Sequence, residues 1–504
     1  MLKVFSFIAM MGLLPFCSCA QDSPVTNKEK HRPQIHFTPE RKWMNDPNGM
    51  VYYKGKYHLF YQFYPGGTKW GPMHWAHATS KDLVHWERLP VALYPDSLGY
   101  IFSGSAVVDA GNTSGFGKDG KTPLVAIFTH HNPKAEKAGR SDSQNQSIAY
   151  SLDEGQTWTK YSGNPVLKNP GISDFRDPKV SWYAAQKKWI MTLATKDRIT
   201  FYSSPDLKSW TKESEFGERL GAHGGVWECP DLFPLSLNGK KYYVLLISIN
   251  PGAPNGGSGT QYFIGDFDGS KFTPLDTATR WIDYGTDNYA GITWANTGGR
   301  KVFIGWMNNW TYANQVPTEE WRGATTLPRE LRLINLNNRI SLRSEPVAEL
   351  SVLDKSRVNL PGAFHAGSPK KVNKSPIKGP YKVQLQTDRL ASFSVVLSNK
   401  DNNQLLVGYD KGKDSFFIDR TAAGPSEFNK EFAKIHYAPR ISKGKTITLT
   451  LFVDVASVEL FADNGLTVMT DVFFPDTPLD VISVKATTNL NLKNFSYTPL
   501  KTIW

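Results

Sequence analysis

The stretch SLDEGQTW (151–158) decides how the rest of the chain is read, because it does not stand alone. SKDLVHW (80–86) and SSPDLKSW (203–210) share its serine, its aspartate and its closing tryptophan, and GDFDGSKF (265–272) is a looser copy. Each lies beyond short runs rich in Val, Ile, Tyr and Phe, bounded by Gly, Asn, Pro or Asp, such as PLVAIFTH, KKWIMTLATK, KYYVLLISIN and RKVFIGWMNNW. They look like one outer hairpin used several times. Recurrence at roughly 50 to 70 residues predicts four-stranded propeller blades with long loops. No convincing amphipathic helix interrupts the pattern, so the chain reads as all-β.

The inner strand of each blade can also be located. Five starts are visible: MNDPNG, IFSGSAVV, FRDPKVSW, WECPDLFPL and DNYAGITW. They predict a five-bladed β-propeller over 33–345. SEPVAELSVLDKSR then reads as a linker over 346–358. Beyond it, alternating strands such as YKVQLQT, ASFSVVLS, TITLTLFVD and SVELFAD predict a β-sandwich over 359–504, to which no chemistry is assigned.

Composition narrows the function. The 504 residues hold 40% hydrophobic and 13% aromatic side chains, with 15 Trp and 21 Tyr, more than a core alone needs. The net charge of +12 comes from scattered residues. Without a lysine-rich arm, zinc-finger spacing or an aromatic RNA-binding signature, nucleic acid is not the expected partner. The first residues, MLKVFSFIAMMGLLPFCSCA, read as a secretory signal over 1–18. Phe16-Cys17-Ser18-Cys19 resembles a bacterial lipobox, which makes Cys19 the candidate lipid anchor, followed by a tether over 19–32. Ordinary secretion with cleavage near Ala20 is the alternative. The only other cysteine is Cys229, so the mature chain has no internal disulfide to form.

Three short motifs carry the chemistry: NDP (45–47), RDP (176–178) and ECP (228–230). Each puts a carboxylate at the start of an inner strand and ends in proline, which biases the residue before it toward an extended backbone. Inner strands of a propeller converge on one axial end, so Asp46, Asp177, Glu228 and Asp287 are expected to meet in one funnel. Acid pairs in a cleft cleave glycosides, one as nucleophile and one as acid, provided their pKa values are pushed apart. Trp227 and Cys229 beside Glu228 suggest a raised pKa and the acid role. Asn45 beside Asp46 suggests an ionised nucleophile, and Arg176 should keep Asp177 ionised.

WMNDPNG, FRDP and WECP together resemble glycoside hydrolase family 32, the invertases, inulinases and levanases. QFYPGGTKWGPMHWAHATSKDLVHW, IFSGSA, DYGTDNYAGITW, GWMNNWTYANQVPTEEWRGATTLPREL and VDVASVELFADNG extend the likeness over 33–500. The resemblance implies hydrolysis of β-fructofuranosides with retention, without a cofactor or metal. It implies Asp46 as nucleophile, Glu228 as acid and base, and Asp177 as a binder of fructose hydroxyls. Asn45, Gln62, Trp70, Phe102, Ser103, Arg176, Asp287 and Trp306 match positions lining the fructose subsite, although Trp70 and Trp306 read equally well as structural aromatics. His74, His77, His130 and His131 fit no metal pattern and read as structural. Retention requires about 5–5.5 Å between the Asp46 and Glu228 carboxyls. The expected substrate is a fructan, levan before inulin, cleaved at a bacterial surface. An enzyme for sucrose and short oligosaccharides, a fructosyltransferase and a non-catalytic fructan-binding protein are the competing readings. Cleavage mode and oligomeric state stay open.

Overall fold

The computed structural model describes residues 27–336 and 338–504. The signal segment, Cys17, Cys19 and most of the tether lie outside the described residues.

Five sheets surround one axis, each beginning with a strand at the centre. The inner strands are Lys42–Tyr53, Tyr100–Val108, Phe175–Tyr183, Val226–Leu237 and Tyr289–Thr293, one for each of the five expected starts. Each touches the next, and the fifth touches the first, so the ring is closed. Two devices seal it. Trp321–Arg322 pairs in parallel with Lys42 and Trp43, adding a late segment to the first blade. Tyr52 N–H donates to Ala295 O at 2.9 Å while Ala295 N–H donates to Met50 O at 3.0 Å. Closure packs the first blade against the fifth, and each blade keeps only its outermost strand as an edge.

Strand composition follows from this packing. Leu124–His131 is buried at every residue, because a middle strand of a blade is covered on both faces. The repeated hairpin is a repeated turn. Asp82 accepts from Ser80 Oγ and from the N–H groups of Val84 and His85. Asp153 accepts from Ser151 Oγ and Thr157 N, and Asp206 from Ser204 Oγ, Lys208 N and Ser209 N. The aspartate stands in for a backbone acceptor and fixes the turn.

After the short helical turn Ala348–Leu353, two sheets of seven and six strands form the sandwich around an apolar cluster that includes Val383, Val395, Leu405, Leu451 and Ile482. The sandwich is joined to the propeller by buried charge. Arg329 reaches Asp283 at 2.8 Å and Glu459 at 2.5 Å, and His36 lies 2.8 Å from Asp454 and 2.9 Å from Glu459. Main-chain bonds from Tyr284 N to Val468 O and from Asp287 N to Thr470 O continue the contact. Among the described residues no helix is long and apolar enough to cross a membrane.

Candidate active site

Every inner strand is broken at the same place. Asn45 and Asp46 together face Gln62, and Phe102 and Ser103 face Thr129. Asp177 and Pro178 face Leu193, Cys229 and Pro230 face Ile247, and Ala290 and Gly291 face Gly305. Two residues against one is a β-bulge, which bends the strand and re-aims side chains out of the ladder. Asp177, Cys229 and Ala290 take positive φ values of 65°, 43° and 53°. Each such residue costs about 1–3 kcal/mol, which the surrounding sheet must offset. For Asp177, and for Cys229 beside Glu228, this corrects the expectation of an extended residue before proline. At 178 and 230 the prolines sit inside the bulges, where a missing N–H breaks no ladder bond.

The bulges put Asp46, Asp177 and Glu228 into one pocket of about 390 Å³. Asp46 is held on both oxygens. Asn45 Nδ2 donates to Oδ1 at 2.9 Å, with the Asn45 amide itself oriented by Trp43 Nε1 at 2.7 Å, and Ser103 Oγ donates to Oδ2 at 2.7 Å. Asp177 Oδ2 accepts from Cys229 N at 3.0 Å. The Cys229 thiol lies 3.5 Å from Asp177 Oδ2 and 3.7 Å from Asp46 Oδ2, between the two acids. Glu228 Oε1 receives Arg176 Nε and Nη2 at 3.0 and 2.9 Å, and Oε2 receives the Tyr289 hydroxyl.

Electrostatics depart from the sequence argument. Burial raises the pKa of Asp46, the Glu228 charge adds to it, and the bonds from Ser103, Asn45 and Cys229 only partly oppose it. Burial likewise pushes Asp177 up to about 7; Arg176 works against this, while Glu228 and Asp46 reinforce it. Arg176 serves Glu228 and Asp174 instead, with Nη1 2.5 Å from Asp174 Oδ1. Trp227 is not an apolar lid on Glu228. It is buried inside its own blade, with Nε1 on Ala222 O.

Of the residues expected at the site, Asn45, Gln62, Trp70, Phe102, Ser103 and Arg176 line the pocket with the three acids. The buried Gln62 Nε2 has no partner within the protein, as suits a group meant for a ligand hydroxyl. Trp70 is 40% exposed, so it is no core residue. Two expectations are corrected. Asp287 is fully buried at the propeller–sandwich contact, bound to Arg420 Nη1 at 2.7 Å, Tyr312 OH at 2.6 Å and Val472 N at 2.9 Å. It precedes its inner strand by two residues, ahead of the bulge that aims the others. Trp306 is also fully buried, between Trp43 and Trp310.

Trp310 faces the pocket in its stead, with Asn314, Gln144, Asp174, His131 and Glu136. The spacing of the motifs carried no signal for these, because they arrive outside the motifs: His131 and Gln144 at the ends of neighbouring strands, Glu136 on a short helix between them, and Trp310 and Asn314 on the segment after Val302–Trp306. His131, read as structural, stacks flat on Phe102 with ring centroids 4.3 Å apart and also lines the pocket. His77 pairs with His58 at 3.0 Å and His74 with Pro72 O at 2.9 Å. Among the described residues no group of three His, Cys, Asp or Glu side chains is arranged to hold a metal.

The model of the glycosyl hydrolases family 32 N-terminal domain matches residues 36–346, and that of the family 32 C-terminal domain matches residues 352–499. The chain belongs to glycoside hydrolase family 32. A levanase of Bacillus subtilis (strain 168) is 46% identical over 520 residues, spanning 100% of this chain and 75% of the relative. The extracellular exo-inulinase of Aspergillus niger is 42% identical over 504 residues, spanning 92% of this chain and 94% of the relative. Among solved structures, the exo-inulinase from Aspergillus awamori superposes with a TM-score of 0.86 at 37% identity, covering 95% of this chain and 99% of that one. As a family 32 hydrolase, the protein cleaves β-fructofuranosidic bonds of the kind found in fructans and sucrose.

Proposed function

We propose that the enzyme removes terminal fructose units from levan-type fructans by a retaining double displacement. The observation that carries this reading is the meeting of Asp46, Asp177 and Glu228 in one small pocket. Its volume is near the lower end for small-molecule sites, which suits a single sugar more than a through-cleft for a polymer. Levan is put first because the levanase relative matches the whole chain. The exo-inulinase relatives favour inulin as the second reading.

In this mechanism Asp46 attacks the anomeric carbon of fructose while Glu228 gives its proton to the leaving oxygen. The aspartate needs no rotamer search, since Asn45 and Ser103 already hold both oxygens. Glu228 then takes a proton from water, which opens the covalent intermediate. Arg176 and Tyr289 hold its carboxyl in place through both steps. Asp177 accepts hydrogen bonds from fructose hydroxyls and strengthens them as positive charge builds at the anomeric carbon. Burial, reinforced by the charges of Glu228 and Asp46, pushes Asp177 up to about 7.

We further infer that the protein is exported and held at a bacterial surface through Cys19. The apolar leader and the lipobox-like Phe16–Cys19 segment support this, as does the extracellular relative. Labelled fatty acid should enter the wild type and not Cys19→Ser.

The test of substrate and mode is the early product profile on levan and inulin side by side. Fructose alone, released faster from levan, is expected. A ladder of oligosaccharides would overturn the terminal mode, and faster release from inulin would reverse the linkage.

A further inference from the structure

The pocket has a floor and a mouth. Asn45, Gln62 and Asp177 on the floor are buried, whereas the mouth carries Trp70 at 40% exposure and a Glu136 side chain at 64%. Nevertheless Glu136 is not left loose. Phe175 N–H donates to Gln144 Oε1 at 2.8 Å, so Gln144 Nε2 is the donor on its other side, 3.4 Å from His131 Nδ1. Nδ1 therefore accepts, and Nε2 carries the ring proton toward Glu136 Oε2 at 3.2 Å. Burial lowers the His131 pKa and keeps the ring neutral, in keeping with that tautomer. The ring is clamped on Phe102 at an interplanar angle of 7°. Glu136 itself rides on the short helix Pro133–Lys137, whose first turn is capped by Asn132. The relay uses one carboxylate oxygen and leaves Oε1 for a ligand.

The same mouth contains Asn314. Its Oδ1 accepts from Trp70 N at 2.9 Å, so the side-chain amide is turned with its two N–H donors available. An aimed acceptor, an aimed donor and an exposed indole face are the set a second sugar ring requires, hydroxyls at its edge and C–H groups on its face.

We infer that Trp70, Glu136 and Asn314 form the site for the leaving sugar, the unit on the far side of the bond being cut. Glu136 accepts from its hydroxyls and Asn314 donates to them. The inference rests on the β-fructoside reading above and extends it to recognition of the leaving group.

The experiment compares wild type, Glu136→Ala and Asn314→Ala on a short fructan oligosaccharide and on methyl β-D-fructofuranoside, whose leaving group has no further hydroxyls. Each variant should lower kcat/KM about tenfold on the oligosaccharide and less than about twofold on the methyl glycoside. Glu136→Gln, which keeps an acceptor oxygen, should recover part of the loss. Melting curves check that each variant is folded. Equal losses on both substrates would mean that Glu136 acts through His131 on the floor, and would overturn the assignment. No loss on either would overturn it too. A wild type that cleaves neither would remove the β-fructoside reading along with it.

Discussion

Two sets of buried acids differ in what surrounds them. At the propeller–sandwich contact, Asp283, Asp287 and Glu459 each meet an arginine, and nearly all their oxygens are bonded within the protein. In the pocket, Asp46 and Asp177 receive hydroxyl, amide and thiol donors but no direct cation; burial raises their pKa values, as it also does that of Asp287 against the pull of Arg420. The first set joins two domains. The second is held on bulged, partly left-handed backbone that leaves capacity for a ligand. Burial of a carboxylate therefore says little until its partners are counted, because a paired buried acid serves structure and an underpaired one stores reactivity.

The largest expected difference is in rate. Asp46→Asn and Glu228→Gln should each lower turnover about a thousandfold or more without loss of fold, measured on fructan with melting curves as the control. Activity within tenfold of wild type would end the proposed role. At the contact the pattern should invert. Asp287→Asn strands the Arg420 guanidinium and should destabilise by about 3–5 kcal/mol in denaturant unfolding, while the folded fraction keeps its turnover. A catalytic defect in a fully stable Asp287→Asn would return this residue to the pocket set.

Smaller effects separate the sets by pH. Opposed by its own burial but bonded by Asp454 and Glu459, His36 has its pKa raised to about 9, from an ordinary value of 6.5. Its contribution to stability is complete below pH 6.5 and lost as pH rises through about 9. Melting temperature should fall across that window, and His36→Gln should flatten the fall. Asp177 runs in the same direction but in a lower window, and there the charged form is the unfavourable one. Its pKa rises from 3.8 to about 7, so its ionisation weakens the fold as pH climbs through that range. Asp177→Asn should slow catalysis yet melt about 1–2 °C higher near neutral pH, with the gain vanishing toward pH 4. A loss of stability instead would erase the distinction between the two sets.

Much of this was legible in the chain. The Ser-Asp-Trp hairpins announced the blades because one local turn, fixed by an aspartate, repeats with its own hydrogen bonds. NDP, RDP and ECP announced the acids because proline tolerates a bulge. What was hidden depends on partners distant in sequence. Asp287 sits two residues before its strand, and nothing local shows that Arg420 will reach it from the sandwich. Trp306 and Trp310 are both tryptophans on one segment and both pack against Trp43; Trp306 ends the buried strand Val302–Trp306 while Trp310 lies beyond it and faces the pocket. Glu136 lies in no motif, and its hold by His131 at the end of the preceding strand shows only in the fold. The pKa argument from neighbours failed for Asp46 and Asp177, because burial in the fold outweighs the donor Asn45 and the cation Arg176 beside them in sequence.

The most direct test of the central claim is to run the reaction in water containing methanol and identify the first methyl fructoside formed. Attack by Asp46 followed by methanol on the opposite face predicts methyl β-D-fructofuranoside. Methyl α-D-fructofuranoside as the first product would mean a single displacement, and would contradict Asp46 as nucleophile.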